Sequence, residues 1–337
     1  MVMGLLPRRL LQIWYRLNDR PLDFPTPREQ MLIEELRDTF RRSLPALASR
    51  CSEAEKVWVD HRNQLRDLVF REDPRQFLRW DSIVYTMYVG DARCIGQELK
   101  HLKRSSKWNT CWKTLVEESP VGNPRRSVMF PRSSGNVIHH TYHLCQLEEK
   151  TGINIGDLGL VVEFGGGYGS MCRLIHKIGF RGRYVILDLP EFSALQRFYL
   201  QLVGVPICPF DSADENGVII VSDVHSIAKH IPASFTSKSA FIATWSISEA
   251  PLELRQSVLT LVSQFDALLI AYQERFEDID NFSFFADWRG SLGGSHIWFD
   301  EQINHLPGNR YLFGVKPTFF AKDVAKEDKS NKCVSRK

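Results

Sequence analysis

The chain lacks any paired arrangement of cysteine. Its seven cysteines (Cys51, Cys94, Cys111, Cys145, Cys172, Cys208 and Cys333) are odd in number and widely spaced, and no Cys-x-x-Cys pair occurs. That excludes a disulfide framework and a zinc knuckle as organising elements, and it fits a reducing compartment, so a cytoplasmic location is expected. Long apolar runs are missing too, so no membrane span is expected. Charge of one sign is scarce: 43 Lys and Arg against 40 Asp and Glu leave +3, too little to imply a nucleic-acid partner. No internal repeat is visible, which excludes solenoid and propeller architectures. At 337 residues the chain is nevertheless long enough for one large domain or two unequal ones, each with a substantial core.

Two local biases stand out. Residues 1–20 set Leu5, Leu6, Leu10, Ile13, Trp14 and Leu17 among Arg8, Arg9, Arg16 and Arg20, with no acid before Asp19. That reads as an amphipathic helix packing on the body, with a mitochondrial presequence or a membrane-surface helix as alternatives. From Arg93 to Arg132 there are nine Lys and Arg against three acids, either a solvated face or a site for an anionic acceptor.

Residues 1–125 read as a mostly helical region, a cap or an oligomerisation element. Leucines and Phe40 recur at three- and four-residue spacings from Gln30 to Leu47, and Trp58, Leu65 and Leu68 do so between Ser52 and Phe70. The stretch Glu118-Ser119-Pro120-Val121-Gly122-Asn123-Pro124 breaks this pattern. A helix over Val137–Glu149 follows, closed by Thr151-Gly152. The rhythm then changes. Apolar runs at 159–164, 183–187, 218–222, 239–244 and 267–272 alternate with amphipathic segments at 169–178, 191–203, 224–230 and 251–263. This predicts an α/β domain over 126–320, a doubly wound parallel sheet with helices on both faces. Asn309–Gly314 is expected as an antiparallel edge strand, and residues 321–337 as a disordered tail.

The apolar run ending at Phe164 meets glycines at alternate positions, Glu163-Phe164-Gly165-Gly166-Gly167-Tyr168-Gly169, and an amphipathic segment begins at once. A strand, a tight glycine turn and a helix start form the opening of a nucleotide-binding α/β unit. A dinucleotide loop needs Gly-x-Gly-x-x-Gly, yet the third position is Ser170 counted from Gly165 and Cys172 counted from Gly167. Glu163 would also repel a pyrophosphate, whereas it suits a ligand with a cationic amine or sulfonium. A nicotinamide oxidoreductase is therefore disfavoured.

The pattern acid-x-Gly-x-Gly-x-Gly resembles the first motif of the class I S-adenosylmethionine-dependent methyltransferases. The resemblance implies that Glu163, Gly165, Gly167 and Gly169 belong to the cofactor loop. It also implies an acid at the end of the second strand for the ribose hydroxyls, which Tyr184-Val185-Ile186-Leu187-Asp188 supplies as Asp188. A further polar contact to the adenine falls on Asp223, after Val218–Ser222, with Asp211 as its rival. Further strings resemble the sugar O-methyltransferases. They are Phe77-Leu78-Arg79-Trp80, Gly135-Asn136-Val137-Ile138-His139-His140-Thr141-Tyr142-His143, Leu187-Asp188-Leu189-Pro190-Glu191-Phe192, Thr244-Trp245-Ser246-Ile247-Ser248-Glu249 and His305-Leu306-Pro307-Gly308-Asn309-Arg310. That likeness extends over roughly residues 70–315 and implies a sugar or other polyhydroxylated small molecule as acceptor.

Methyl transfer to a hydroxyl requires alignment and a base. Ligands of this fold sit beyond the carboxyl ends of the strands, so Glu249, after the fourth strand, is a candidate catalytic base; as an acid at a helix start it equally suits a capping role. His305, beside a Pro-Gly turn, is a second candidate, with a structural histidine as the alternative. No metal is expected. His139 and His143 have the i, i+4 spacing of a zinc pair, but no third ligand is evident. Asp278-Ile279-Asp280-Asn281 resembles the magnesium site of some O-methyltransferases, with a solvated acidic loop as the other reading. The alternatives in function are a methyltransferase-like binding protein without turnover, or a nitrogen or RNA acceptor; the Asn/Asp-Pro-Pro-Tyr type of loop often used for amino groups is absent after the fourth strand.

Overall fold

The computed structural model describes residues 22–42, 53–90, 93–209, 216–227, 229–231 and 237–319, with isolated positions 10 and 13. Apart from positions 10 and 13, the expectations for residues 1–20, and those for Asp211 and for the tail from 321, lie outside the described residues.

Five apolar runs become five parallel strands: β1 (Leu160–Phe164), β2 (Arg183–Leu187), β3 (Gly217–Val221), β4 (Ser239–Thr244) and β5 (Ala267–Gln273). After a two-residue ribbon, β6 (Arg275–Phe276) with β7 (Ile279–Asp280), come β8 (Ile297–Gln302) and β9 (Asn309–Val315). The main sheet has the order β3-β2-β1-β4-β5-β9-β8. Val162 pairs with Val185 on one side and Phe241 on the other, in parallel register. The fold is α/β and doubly wound, as expected. The strand order reverses between β1 and β4, which opens a crevice at their carboxyl ends.

Alternate residues of each strand feed two cores. Val161, Tyr184, Ile220 and Ile242 pack on one face, while Val162, Val185, Ile219 and Phe241 pack on the other. Both faces are covered, which is why these strands read as unbroken apolar runs. The Asn309–Val315 strand is antiparallel to β5, but it is not the edge, because β8 pairs outside it. β8 (Ile-Trp-Phe-Asp-Glu-Gln) is only half-buried and carries no strong apolar pattern, so the sequence reading passed over it.

Helices α1 (Pro27–Arg42), α2 (Glu53–Arg71) and α3 (Arg93–Arg104) precede α4 (Gly135–Thr151). The Ser134 hydroxyl caps α4 by accepting from the Val137 N–H at 3.1 Å, and Gly152, at φ 71°, ends it. Then come α5 (Ser170–Ile178), α6 (Pro190–Leu202), α7 (Leu252–Val262) and α8 (Asn281–Ser291). The segment expected as a helix over 224–230 forms a single turn, Val224–Ile227. The N-terminal elements share the core of the α4 face: Leu32, Leu65, Phe77 and Leu78 belong to the same apolar cluster as Tyr168 and Tyr199. Buried Glu191 on α6 ties α2 down, accepting from Arg62 Nε at 2.6 Å and also from Arg66. This bond holds α2 over the open end of the sheet.

Candidate functional site

A cleft of about 850 Å³ lies at the strand-order reversal. Its floor is the loop after β1, its flanks are the ends of β2 and β4, and its roof comes from Trp58 and Arg62 of α2 and from residues 85–90.

The glycines divide the work. Gly165 (φ 72°) and Gly167 (φ 57°) take left-handed conformations that disfavour any Cβ. At Gly165 a Cβ would stand 2.2 Å from Ser246 Cβ, so this glycine permits the β1 loop to pack on the β4 loop. At Gly167 a Cβ would meet only Met87, at 3.6 Å, leaving its backbone open to the cleft. Gly169 turns the chain into α5 at φ 94°.

Asp188 stands half-buried at the end of β2 and lines the cleft. Its Oδ2 accepts from the Gly167 N–H at 3.0 Å and from Gln196 Nε2 at 2.7 Å, while Oδ1 accepts from the Leu189 N–H at 2.7 Å. Burial pushes its carboxyl up to about 7 despite these bonds, which favour the charged form. Glu163 also lines the cleft but is only 3% exposed. Its Oε2 accepts from the Tyr184 hydroxyl at 2.8 Å. Burial first, then the charge of Asp188, push its carboxyl up to about 8.

Asp223 lines the cleft at an exposed position and accepts from the Ser226 N–H at 2.9 Å and from the Ser226 hydroxyl. Those bonds, the hydroxyl's above all, hold its carboxyl below the usual range. Glu249 lines the cleft, with Oε1 accepting from Gln273 Nε2 at 2.8 Å. Burial raises its carboxyl, opposed by Gln273 and Arg255. Pro251, not Glu249, is the N-cap of α7. Before Glu249 comes Trp245, at φ 63°, a strained position for a bulky residue. Trp245 is held by its N–H on Ala271 O (2.7 Å) and its indole N–H on Asn309 Oδ1 (2.7 Å).

Other candidates are not brought here. His305 does not line the cleft; its Nε2 sits 2.8 Å from buried Glu98, and Leu306 and Asn309 of its loop reach the wall instead. Asp280 is the N-cap of α8, accepting from the Ser283 N–H at 3.1 Å, and neither it nor Asp278 lines the cleft. The zinc pair fails as well: His139 Nδ1 is bonded to Glu98 (2.7 Å) and His143 Nδ1 to the Tyr311 hydroxyl (2.5 Å). Among the described residues the one cluster with metal-ligand spacing is His101, Cys145 and Glu149, none of which lines the cleft. No Lys or Arg of the basic 93–132 segment lines it either, among the described residues; Lys107, for example, pairs with Glu148 at 2.6 Å.

Sequence reasoning missed the roof: Trp58, Arg62 and residues 85–90 carry no motif, whereas His139 stood both as half of a metal pair and in a string resembling the sugar O-methyltransferases. The usable signal for His139 was its place in a histidine-rich helix beside the pocket.

No protein-family model matches the chain, and no curated protein matches it. Solved structures do. Precorrin-6y C5,15-methyltransferase from Geobacter metallireducens GS-15 aligns with a TM-score of 0.36 at 9% identity, over 55% of this chain and 89% of that one. Magnesium protoporphyrin IX methyltransferase (ChlM) from Synechocystis PCC 6803, with bound SAM, gives 0.37 at 16%, over 68% and 100%. PigF with SAH gives 0.34 at 14%, over 88% and 100%. Likeness this distant carries nothing about substrate or reaction, which rest on the cleft.

Proposed function

We propose that this chain is an S-adenosylmethionine-dependent methyltransferase that methylates a hydroxyl of a sugar or another polyhydroxylated small molecule. One observation carries the reading: the acid–glycine loop and Asp188 are joined by the Gly167–Asp188 hydrogen bond in the lining of a single cleft that Glu249 also lines.

The residues fit the cofactor. Asp188 lines the cleft, and a carboxylate is suited to a ribose diol. Gly167 offers backbone without a side chain in the way. Glu163 is a proton-holding acid poised to become a counter-charge for a cationic amine. Asp223, at the outer end, suits an adenine amino group. When bound, the sulfonium supplies an activated methyl group for in-line transfer. The protein's share is alignment, exclusion of water and removal of the acceptor's proton. Trp58, Tyr85 and Trp245 supply flat apolar faces, and Glu249, Glu253 and Asn309 supply hydrogen-bonding groups, a lining suited to a polyhydroxylated ring.

The test is thermal and calorimetric. S-adenosylmethionine and S-adenosylhomocysteine should raise the melting temperature, because a ligand that binds only the native state stabilises it by mass action. NAD should not. A shift with NAD and none with the sulfonium compound would overturn the reading. Tritium transfer from labelled S-adenosylmethionine to aldohexoses and methyl hexosides then tests the acceptor class.

A further inference from the structure

Three histidines of α4 lie close to the cleft, and their surroundings differ. His139 is 2% exposed yet lines the cleft, its ring stacked on Trp245 with centroids 5.2 Å apart and planes 27° apart. His140 also lines the cleft, but its Nδ1 is buried without a partner. His143 lies behind them, tied to Tyr311.

Behind His139 stands Glu98 of α3, fully buried. One oxygen, Oε1, lies 2.7 Å from His139 Nδ1 and 2.8 Å from His305 Nε2. Its other oxygen has no partner among the described residues. An ionised carboxylate can only accept, so both rings must donate to it. Burial works to raise the Glu98 carboxyl, but the two imidazoles outweigh it and hold it below the usual range, so it is ionised at neutral pH. His139 therefore carries its proton on Nδ1. Its Nε2 bonds to no described residue, and it is not among the sealed, unpartnered atoms that include Glu98 Oε2 and His143 Nε2. That nitrogen has an outlet, and the ring it belongs to lines the cleft.

Resting on the methyl-transfer reading above, we infer that His139 is the catalytic base for the acceptor hydroxyl, that Glu98 is the positioning residue that holds it in the Nδ1–H tautomer, and that His305 is a second donor that steadies Glu98. The arrangement follows the general logic of a buried carboxylate orienting an imidazole. The acceptor oxygen gains the methyl carbon, the electron pair of the broken carbon–sulfur bond stays on sulfur, and the hydroxyl proton passes to His139 Nε2. The imidazolium that results keeps its Nδ1–H on Glu98, whose charge offsets it. The neighbours do not compete. Burial above all drives His140 down to about 3, and burial also lowers His143, so both rings stay neutral near pH 7. Glu249 already accepts from Gln273, which suits it to orient the acceptor.

The first test needs no variant and no acceptor. Long-range 1H–15N correlation on histidine-labelled full-length protein, with and without S-adenosylhomocysteine, should show His139 protonated at Nδ1 and bare at Nε2, its signals assigned by their loss in His139→Asn. An Nε2–H tautomer overturns the inference, as does a Glu98→Gln protein, folded by circular dichroism, whose His139 signals have not moved. The second test is kinetic. His139→Asn should bind S-adenosylmethionine with wild-type affinity in calorimetry but lose about 10²-fold or more in kcat for tritium transfer to the hexose and hexoside panel. Wild-type transfer by His139→Asn also overturns it. A wild-type protein that neither binds the sulfonium compound nor transfers methyl groups defeats the methyltransferase reading instead, and the tautomer result still decides the Glu98–His139 pairing.

Discussion

The backbone N–H of Gly167 donates to Asp188 Oδ2 at 3.0 Å, so the loop after β1 and the end of β2 are one rigid unit rather than two neighbouring ones. Gln196 of α6 completes it, donating to the same oxygen and to the Gly167 carbonyl at 2.9 Å. A ligand that touches Asp188 therefore also reads the geometry of the glycine loop.

Asp188→Ala is expected to weaken S-adenosylmethionine binding by about 1.5–3 kcal/mol, the worth of hydrogen bonds to a charged group. Isothermal titration of the variant measures this directly. Unchanged affinity would remove Asp188 from the ribose contact.

The two glycines should separate under alanine substitution. Gly165→Ala brings a Cβ to 2.2 Å from Ser246 Cβ at φ 72°, so stability should fall most there. Gly167→Ala meets nothing closer than 3.6 Å and bears only the left-handed strain, about 1–2 kcal/mol. Gly167→Val should lose at least tenfold in cofactor affinity while still folding. Denaturant melts alongside titrations check both; equal melts for the two alanine variants would contradict the packing described.

Glu163 and Asp188 set a pH dependence. Their carboxyls stand at about 8 and about 7 in the folded protein, against ordinary values of 4.5 and 3.8. Folded pKa values above the unfolded ones mean that the native state holds the extra protons. The stability they contribute is whole below the ordinary values and is lost as pH rises through about 7 and 8. Ligand-free melts should decline across that window, and Glu163→Gln should flatten the decline. A cationic ligand favours the ionised acid, so binding at pH 7 should release protons, seen as a titration enthalpy that differs between phosphate and Tris. Equal enthalpies in the two buffers would mean that Glu163 does not meet the cation.

Glu249→Gln keeps size and the acceptor oxygen but removes the charge. With His139 as base, the variant should bind cofactor normally, raise KM for the acceptor and keep kcat within about tenfold. A loss of about 10²-fold or more in kcat would instead make Glu249 the base.

Much of this site was legible in the residues, and the reasons are local. The acid, the alternate glycines and the acid 25 positions after Glu163 announce a strand, a turn and a second strand end because each depends on its own backbone and on burial of both sheet faces. Asp278, Asp280 and Asn281 left two readings open, because three oxygen-bearing side chains within four residues look alike whether they hold a metal or, as Asp280 does, cap a helix. α8 and β8 were hidden because half-exposed elements carry mixed patterns.

The sequence by itself determined the parallel strands, the glycine turn and the two acids beside it. Steric freedom at glycine and the burial of apolar runs act over a few residues and need no partner from afar. The tertiary structure alone decided that Glu98, an acid on an amphipathic helix, would be buried against His139, 41 positions away, and His305, 207 positions away. It alone brought α2 and residues 85–90 over the cleft. A hydrogen bond between distant residues exists only once the packing of other side chains has closed the chain between them, and no local pattern records which acid that closure will take out of water.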